Sequence, residues 1–256
     1  MKQLFYTITA VALLISCQPK QADQNIHIRN TMATIYVQQA PEYIALAEQA
    51  YAAARLSLDN QFTMAVKPLA VVLDIDETVL DNSPYQAKQI LENFNYPDHW
   101  DDWINKENAQ PVPGSLDFLQ YADSKGIVIY YISNRKQKYL KATINNLNKF
   151  GYPQVDSTHI MLRTSTNSKE ERRQKVVNQG LEIALLIGDN LDDMSAEFEV
   201  EDADKRKEAT YANQAKFGTK YIVLPNPTYG KWVQNGGFYN ANLDQDSLAA
   251  ASLKGF

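Results

Sequence analysis

Residues 69–85 read LAVVLDIDETVLDNSPY, and this stretch decides the fold. Residues 69–73 form an unbroken aliphatic run that is short and bounded by polar residues, which is typical of a strand buried on both faces of a parallel sheet. Asp74 and Asp76 follow directly, at the carboxyl edge where open α/β sheets bind ligands. Because buried carboxylates are costly unless a cation or hydrogen bonds offset them, the stretch predicts a metal site.

The rest of the chain alternates between strand and helix patterns. Further apolar runs predict strands at 127–132, 159–162, 183–187 and 221–224. Patterns typical of helices lie before and between the strands, at 31–60, 86–94, 115–125, 137–150 and from about 169. The alternation predicts an α/β fold, a parallel sheet with helices on both faces. A smaller, mostly helical cap is assigned to about 29–60, 85–112 and the C-terminal tail, although the helix before the first strand also suits a simple flanking role.

Bulk composition narrows the classes of partner. The chain has 256 residues, a formal net charge of −5 and an isoelectric point near 5.3. Its length suits one sizeable domain with an appended cap. An acidic chain lacks the basic footprint of a protein that binds nucleic-acid polymers, but a locally positive site can still take a small phosphate.

The N-terminus has the pattern of a secreted lipoprotein. Lys2 precedes an apolar segment at 4–15 that is too short to span a bilayer, and the single cysteine, Cys17, follows it. This end resembles a bacterial lipobox, which implies a signal peptide over 1–16, lipid on Cys17, a polar tether over 17–28 and a domain over 29–256. A plain secretory signal or a short anchor stays open. By resemblance to lipoprotein sorting, Gln18 favours the outer membrane, with the domain periplasmic or surface-facing.

Aspartate or serine residues follow the first, second and fourth predicted strands, and a lysine begins the helix after the third strand. They are, in chain order, Asp74, Asp76, Ser133, Lys169, Asp189 and Asp193. Taken singly they are weak signals, and Asp192 in particular reads as a helix N-cap. Together they predict a phosphate site in which carboxylates hold Mg²⁺ and a hydroxyl, backbone amides and an ammonium bind phosphoryl oxygens.

Longer motifs carry a specific resemblance. The order DxDxT, SNR, Lys and GDNxxD resembles the haloacid dehalogenase (HAD) superfamily of phosphatases, with its Rossmann-like parallel sheet. More narrowly, DIDETVLDNSPY at 74–85, YISNR at 131–135, GDNLDD at 188–193 and LPNPTYG at 224–230 resemble the class C acid phosphatases, the lipoprotein e and 5'-nucleotidase family.

The resemblance implies a role for each motif residue. Asp74 is the nucleophile that forms an aspartyl-phosphate, and Asp76 transfers the proton. Mg²⁺ is held by Asp74, Asp189 and the backbone carbonyl of Asp76, and Asp193 orients a ligand of the metal from outside its coordination sphere. The phosphoryl group is bound by Thr78, Ser133, Asn134 and Lys169, and Thr78 also supports the loop by hydrogen bonding. For Arg135 a structural salt bridge is as good a reading as a catalytic role.

The expected activity is that of a lipid-anchored, Mg²⁺-dependent acid phosphatase. The resemblance favours nucleoside 5'-monophosphates or nicotinamide mononucleotide as substrates and implies a homodimer. Trp100, Trp103 and Tyr229 are candidates for stacking on a flat ring, although packing of the cap explains each of them equally well. Two alternatives stay open: a phosphotransferase, and a non-catalytic surface lipoprotein that binds haem or another ligand on a HAD scaffold.

Overall fold

The structure, a computed structural model, describes residues 24–239 and 243–255. The predicted signal peptide and Cys17 lie outside the described residues. The first helix, α1, spans Gln24–Gln39, so the last residues of the predicted tether are helical. No helix among the described residues combines the length and apolar character needed to cross a bilayer.

A five-stranded parallel sheet forms the centre of the molecule. In chain order the strands are β1 (Leu69–Leu73), β2 (Leu80–Asp81), β3 (Gln110–Pro111), β4 (Val128–Lys136), β5 (Ile160–Arg163), β6 (Glu182–Gly188) and β7 (Tyr221–Val223). The sheet has the order β5-β4-β1-β6-β7, and β2 pairs with β3 in a separate antiparallel ribbon that was not predicted. The predicted α/β fold with a parallel sheet is confirmed.

Helices cover both faces of this sheet. They are α2 (Pro41–Met64), α3 (Ser83–Glu92), α4 (Trp100–Asn105), α5 (Ser115–Ser124), α6 (Leu140–Lys149), α7 (Glu170–Val177), α8 (Ala203–Ala212), α9 (Lys231–Asn235) and α10 (Gln245–Ser252). Side chains of β1 alternate between two apolar cores: Val71 packs with Leu58 of α2 in one, and Val72 with Val176 of α7 in the other. Since burying one such side chain stabilises the fold by about 1.5–3 kcal/mol, both faces require the covering helices.

Helix α2 flanks the sheet, although the sequence also placed it among the cap elements. Pro41 occupies the first turn, where its missing N–H costs nothing. Ala47, Tyr51 and Leu58, spaced at three or four residues or their multiples, lie in the core beside β1. The Tyr51 hydroxyl also donates to the carbonyl oxygen of Thr78 at 2.6 Å, so α2 supports the loop that follows β1.

The segment between β1 and β4 carries α3 and α4. The side chains of Ile104, Tyr139 and Ala142 form a small apolar cluster against which Trp100 and Trp103 pack. Because Tyr139 and Ala142 follow β4, this cluster attaches α4 to the body of the domain. Trp103 of α4 also contacts Asn82 in the segment that follows β1, and the placement of α4 therefore matters for the site described below.

Candidate active site

Three carboxylates meet at the carboxyl edge of β1 and β6. Asp74 directly follows β1, and Asp189 and Asp193 follow β6; one oxygen from each lies within 4.8 Å of the others. Asp74 and Asp193 are buried and Asp189 is partly buried. The sequence predicted that these carboxylates share one site, and the structure brings them together because β1 and β6 are adjacent parallel strands that end at the same edge of the sheet.

Lys169 is the cation inside this cluster. It stands at the N-cap of α7, its side chain is 6% exposed, and its Nζ contacts the carboxylates of Asp74 and Asp193, the latter at 2.6 Å. Burial opposes the charge on Lys169, but the two carboxylates outweigh it and raise the pKa of the ammonium. Lys169 is therefore protonated wherever the carboxylates are ionised.

One ammonium does not neutralise three carboxylates. Burial raises the pKa of Asp74 to about 7, even though Lys169 lowers it, and burial together with Asp193 and Asp74 raises the pKa of Asp189 well above its usual range. The site therefore carries a net negative charge when its carboxyl groups are ionised, and a bound cation would stabilise it. Oxygen donors of this kind suit a hard divalent cation, so the residues present fit the predicted metal.

Gly188 lets the loop after β6 fold back on itself. A Cβ at this position would lie 2.2 Å from an oxygen of Asp193. Asp193 Oδ2 accepts from the backbone N–H of Asn190 at 3.1 Å, and the carbonyl of Asp193 accepts from the buried guanidinium of Arg173 at 3.0 Å. These contacts fix Asp193 against Lys169, which explains the glycine of the GDNLDD motif.

The N-cap of the short 3₁₀ helix Leu191–Asp193 is Asn190, so the interpretation of Asp192 as an N-cap is wrong. The Asn190 side chain accepts from the backbone N–H of Asp192. The carboxylate of Asp192 instead pairs with Arg206 of α8. An ion pair with a residue 14 positions away is a tertiary contact that the local spacing does not encode.

Asp189 is held by a residue for which the sequence suggested no role. Asn226, after β7, donates from Nδ2 to Asp189 Oδ2 at 2.7 Å. Its own Oδ1 accepts from the backbone N–H of Thr228 at 2.9 Å and from the Thr228 hydroxyl at 2.6 Å. The amide of Asn226 is thereby oriented with its NH₂ group toward the carboxylate. The LPNPTYG motif was recognised, but only the fold reveals that its Asn serves Asp189.

Asp76 is paired with Arg135, which settles the reading of Arg135 as a salt-bridge residue. The guanidinium donates from Nη2 to Asp76 Oδ1 at 2.8 Å and from Nε to both oxygens, and the Arg135 side chain is 2% exposed. Strand β4 continues to Lys136, four residues beyond the predicted end. Ser133 and Arg135 therefore belong to the last residues of β4. As alternate residues of the strand, their side chains point to the same side, toward Asp76 in the loop after β1.

The predicted phosphate-binding residues lie in three different environments. Ser133 is buried, and its hydroxyl lies 3.3 Å from Asp76 Oδ2. Asn134 is exposed, and its side chain is bonded to the carbonyl of Asn167 and to the guanidinium of Arg172. The hydroxyl of Thr78 is buried and, among the described residues, has no hydrogen-bond partner, so the expected support of the loop comes from the backbone of Thr78 and not from its side chain.

The three aromatic candidates make contacts within the protein. Trp100 packs edge-on against Tyr85, with ring centroids 4.9 Å apart. Trp103 donates from its indole nitrogen to Asn82, and the Tyr229 hydroxyl donates to the carboxylate of Glu77. Glu77, like Asn82, was not assigned a role from the sequence; it is buried at a positive φ of 55°, and burial raises its pKa well above the usual range.

The buried arginine of α7, Arg172, was also missed. It donates to the carbonyl oxygen of Ser133 at 2.7 Å and to Asn134 at 2.6 Å, which ties the end of β4 to α7. Ser168 and Glu171 have the sequence spacing of a capping box, but this box does not form. Ser168 donates to Glu199 at 2.9 Å and accepts from the backbone of Glu170 instead. The N-terminal end of α7 is thus held by two contacts, one from Arg172 to the end of β4 and one from Ser168 to Glu199.

Comparisons with known proteins agree with this architecture. A family model described as HAD superfamily, subfamily IIIB (acid phosphatase) matches residues 1–232. The class C acid phosphatase from Bacillus anthracis has a similar structure, with a TM-score of 0.85 and 42% identity over 90% of this chain and 99% of that one. A second structure of that protein has tungstate bound.

Curated proteins show shorter matches. The chain is 34% identical over 135 residues to a stem 28 kDa glycoprotein of Glycine max, covering 48% of this chain and 51% of that protein. It is 29% identical over 132 residues to acid phosphatase 1 of Solanum lycopersicum, again covering 48% and 51%. The chain thus spans about half the length of these curated relatives.

Proposed function

Because the chain belongs to the acid phosphatases of HAD subfamily IIIB, we propose that it hydrolyses phosphomonoesters through a phosphorylated Asp74 and requires Mg²⁺. The observation that carries the proposal is the cluster at the end of β1, in which Asp74, Asp189 and Asp193 surround the ammonium of Lys169. A purely binding protein has no need for this combination of nucleophile, cation and spare negative charge.

In the proposed reaction Asp74 attacks phosphorus in line with the leaving oxygen. A bond forms between the Asp74 carboxylate oxygen and phosphorus, the ester P–O bond breaks, and Asp76 gives a proton to the departing alcohol oxygen. Asp76 then takes a proton from water as the water attacks phosphorus. Release of phosphate regenerates the carboxylate of Asp74. Lys169 and the Ser133 hydroxyl would hold the phosphoryl oxygens during both steps, whereas the Asn134 side chain is bonded to Asn167 and Arg172.

The metal would be held by the carboxylates of Asp74 and Asp189 and by the backbone carbonyl of Asp76. When bound, it supplies positive charge that offsets the charge of the nucleophile and of the phosphate. Asp193 and Asn226 would keep the ligands in place, the first by holding Lys169 and the second by its hydrogen bond to Asp189. Such outer contacts commonly decide metal affinity.

For the substrate we propose nucleoside 5'-monophosphates or nicotinamide mononucleotide. Support comes from the family resemblance of the motifs and from the tungstate in the Bacillus anthracis protein, since tungstate is a tetrahedral oxyanion like phosphate. Tyr229 and Trp100 remain the candidates for contact with a flat ring. A homodimer, also implied by the resemblance, stays a prediction.

A phosphate-release screen tests this proposal. The protein is incubated with nucleoside 5'-monophosphates, nicotinamide mononucleotide and sugar phosphates, before and after treatment with EDTA, and released phosphate is measured. We expect the mononucleotides to be hydrolysed fastest, EDTA to abolish hydrolysis and added Mg²⁺ to restore it. Hydrolysis that persists in EDTA would contradict the metal requirement, and equal rates on sugar phosphates would contradict the substrate class.

We also propose that lipid on Cys17 anchors the protein to the bacterial outer membrane, with the domain periplasmic or surface-facing. The support is the apolar segment at 4–15 followed by the only cysteine of the chain. Replacing Cys17→Ala should move the protein from the membrane fraction to the soluble fraction of fractionated cells, with its phosphatase activity retained. A Cys17→Ala protein that stays in the membrane fraction after a high-salt wash would argue for a transmembrane anchor instead.

A further inference from the structure

Asn82 lies fully buried between the catalytic loop and α4. Its side-chain NH₂ donates to Asp76 Oδ1 at 2.8 Å, and its side-chain oxygen accepts from the indole N–H of Trp103 at 2.7 Å. Its backbone N–H donates to the carboxylate of Glu77 at 3.0 Å. One residue therefore joins the helix α4 to the carboxylate that the proposed mechanism uses for proton transfer.

The chemistry of the two neighbours fixes the orientation of the Asn82 amide. An indole nitrogen can only donate a hydrogen bond, and Asp76 Oδ1, which accepts from Nη2 and Nε of Arg135, is an acceptor. The amide oxygen must therefore face Trp103, and the NH₂ group must face Asp76. Removing the indole N–H removes the only partner, among the described residues, of the Asn82 side-chain oxygen, and with it the constraint on this orientation.

The two oxygens of Asp76 are held unequally. Oδ1 accepts from Nη2 and Nε of Arg135, at 2.8 and 3.0 Å, and from Asn82 at 2.8 Å. Oδ2 has only longer contacts, from Arg135 Nε at 3.2 Å and from the Ser133 hydroxyl at 3.3 Å. Oδ1 is thus the anchored oxygen, and Oδ2 is the oxygen left for exchanging a proton.

We propose that Asn82 and Trp103 are positioning residues that hold Asp76 with Oδ2 directed to the leaving group. Arg135 fixes Asp76 from β4, and Asn82, oriented by Trp103, fixes it from the side of α4. This inference rests on the proposed function, because it concerns the step in which Asp76 passes its proton to the departing oxygen as the ester P–O bond breaks. It also gives Trp103 a role other than stacking on the substrate.

The site of Trp103 suits such a role. Its ring is partly buried and packs against both the main core and the small cluster around Ile104 and Tyr139. The packing fixes the ring, and the ring in turn fixes the direction of its N–H bond. Trp232, on α9, is 55% exposed, and its indole nitrogen has no hydrogen bond to any described residue. Because Trp232 has no place in the proposed site, Trp232→Phe provides a matched control.

The experiment compares two substrates that differ in their need for a proton. Nitrophenolate leaves p-nitrophenyl phosphate without protonation, whereas the alkoxide of glycerol 2-phosphate needs the proton of Asp76. Replacing Trp103→Phe keeps an aromatic ring and deletes the N–H. We expect kcat/KM on glycerol 2-phosphate to fall about tenfold and kcat/KM on p-nitrophenyl phosphate to change less than about twofold, since general acid catalysis acts only where the leaving group needs it. The comparison uses kcat/KM because this ratio excludes the later hydrolysis of phosphorylated Asp74, which both substrates share.

Asn82→Ala should show the same selectivity with a larger effect, about a hundredfold in kcat/KM on glycerol 2-phosphate, and Trp232→Phe should change neither value. Thermal unfolding of each variant checks that it is folded. Equal losses of kcat/KM on both substrates in folded Trp103→Phe protein would overturn the proposal, as would a rise in KM for nucleotides with kcat unchanged, which is the mark of stacking. Wild-type protein that releases phosphate from neither substrate would instead refute the proposed function.

Discussion

Asp74→Asn is expected to reduce the hydrolysis of p-nitrophenyl phosphate by at least about a thousandfold, because the amide cannot form the acyl-phosphate bond and no other carboxylate takes its place. Asp76 is bound to Arg135, and Asp193 is bound to Lys169 and to the backbone of Asn190. The measurement is steady-state release of nitrophenolate with Mg²⁺ in excess. Appreciable turnover by Asp74→Asn would contradict the nucleophile assignment.

Loss of activity in this variant should not be a loss of fold. Burial raises the pKa of Asp74 to about 7, so the metal-free folded protein binds a proton there that the unfolded chain releases near pH 4. With more protons bound in the folded state, stability falls as the pH rises from about 4 to about 7. The neutral amide of Asp74→Asn does not carry this loss of stability. We therefore expect the metal-free variant to have, at pH 7.5, an unfolding temperature no lower than that of the wild type. Unfolding at a clearly lower temperature would make the activity loss uninformative about chemistry.

The features that the sequence predicted correctly are those with a local signal. The run at 69–73 became β1 at the same residues, because five consecutive aliphatic side chains bounded by polar residues are typical of a strand covered on both faces. The meeting of Asp74 with Asp189 then follows from sheet geometry, since β1 and β6 are parallel neighbours. Pattern and topology together were enough to place the carboxylates.

The features that the sequence did not predict are hydrogen bonds between distant side chains. Trp103 reaches Asn82 across 21 positions, and Asn226 reaches Asp189 across 37. An Asn in a loop is compatible with turns, caps and many partners, so its spacing carries no information about the partner. Only the packing of α4 beside β1, and of the β7 loop beside β6, determines which polar atoms meet.

Local patterns also failed where a tertiary contact competed with them. Ser168 and Glu171 have the spacing of a capping box, but the Ser168 hydroxyl donates to Glu199, 31 residues away. Lys169 occupies the N-cap of α7 in its place. The lysine side chain gives no capping bond to α7, and its ammonium contacts Asp74 instead.

Lys169→Met is the second substitution for which a large effect is expected. It leaves Asp74 and Asp193 buried without the cation that both now contact. Removing one partner of a buried ion pair commonly costs about 3–5 kcal/mol, and the metal-free variant should be destabilised by about this amount at pH 7.5. Without Lys169 the folded carboxyl groups hold their protons more tightly, so the deficit should shrink as the pH falls toward 5. Chemical denaturation in EDTA at several pH values measures both effects.

A matched control and a double variant identify the cause. Lys138→Met removes a lysine that pairs with Asp101 at the surface, where its side chain is 52% exposed, and it should leave the denaturation midpoint nearly unchanged because exposed pairs contribute little. In an Asp74→Asn background, Lys169→Met should cost less than it does alone, since one of the two carboxylates is already neutral. Strictly additive costs would mean that Lys169 stabilises the fold by packing its aliphatic chain. Non-additive costs would mean that its charge holds the catalytic carboxylates together until a metal ion binds.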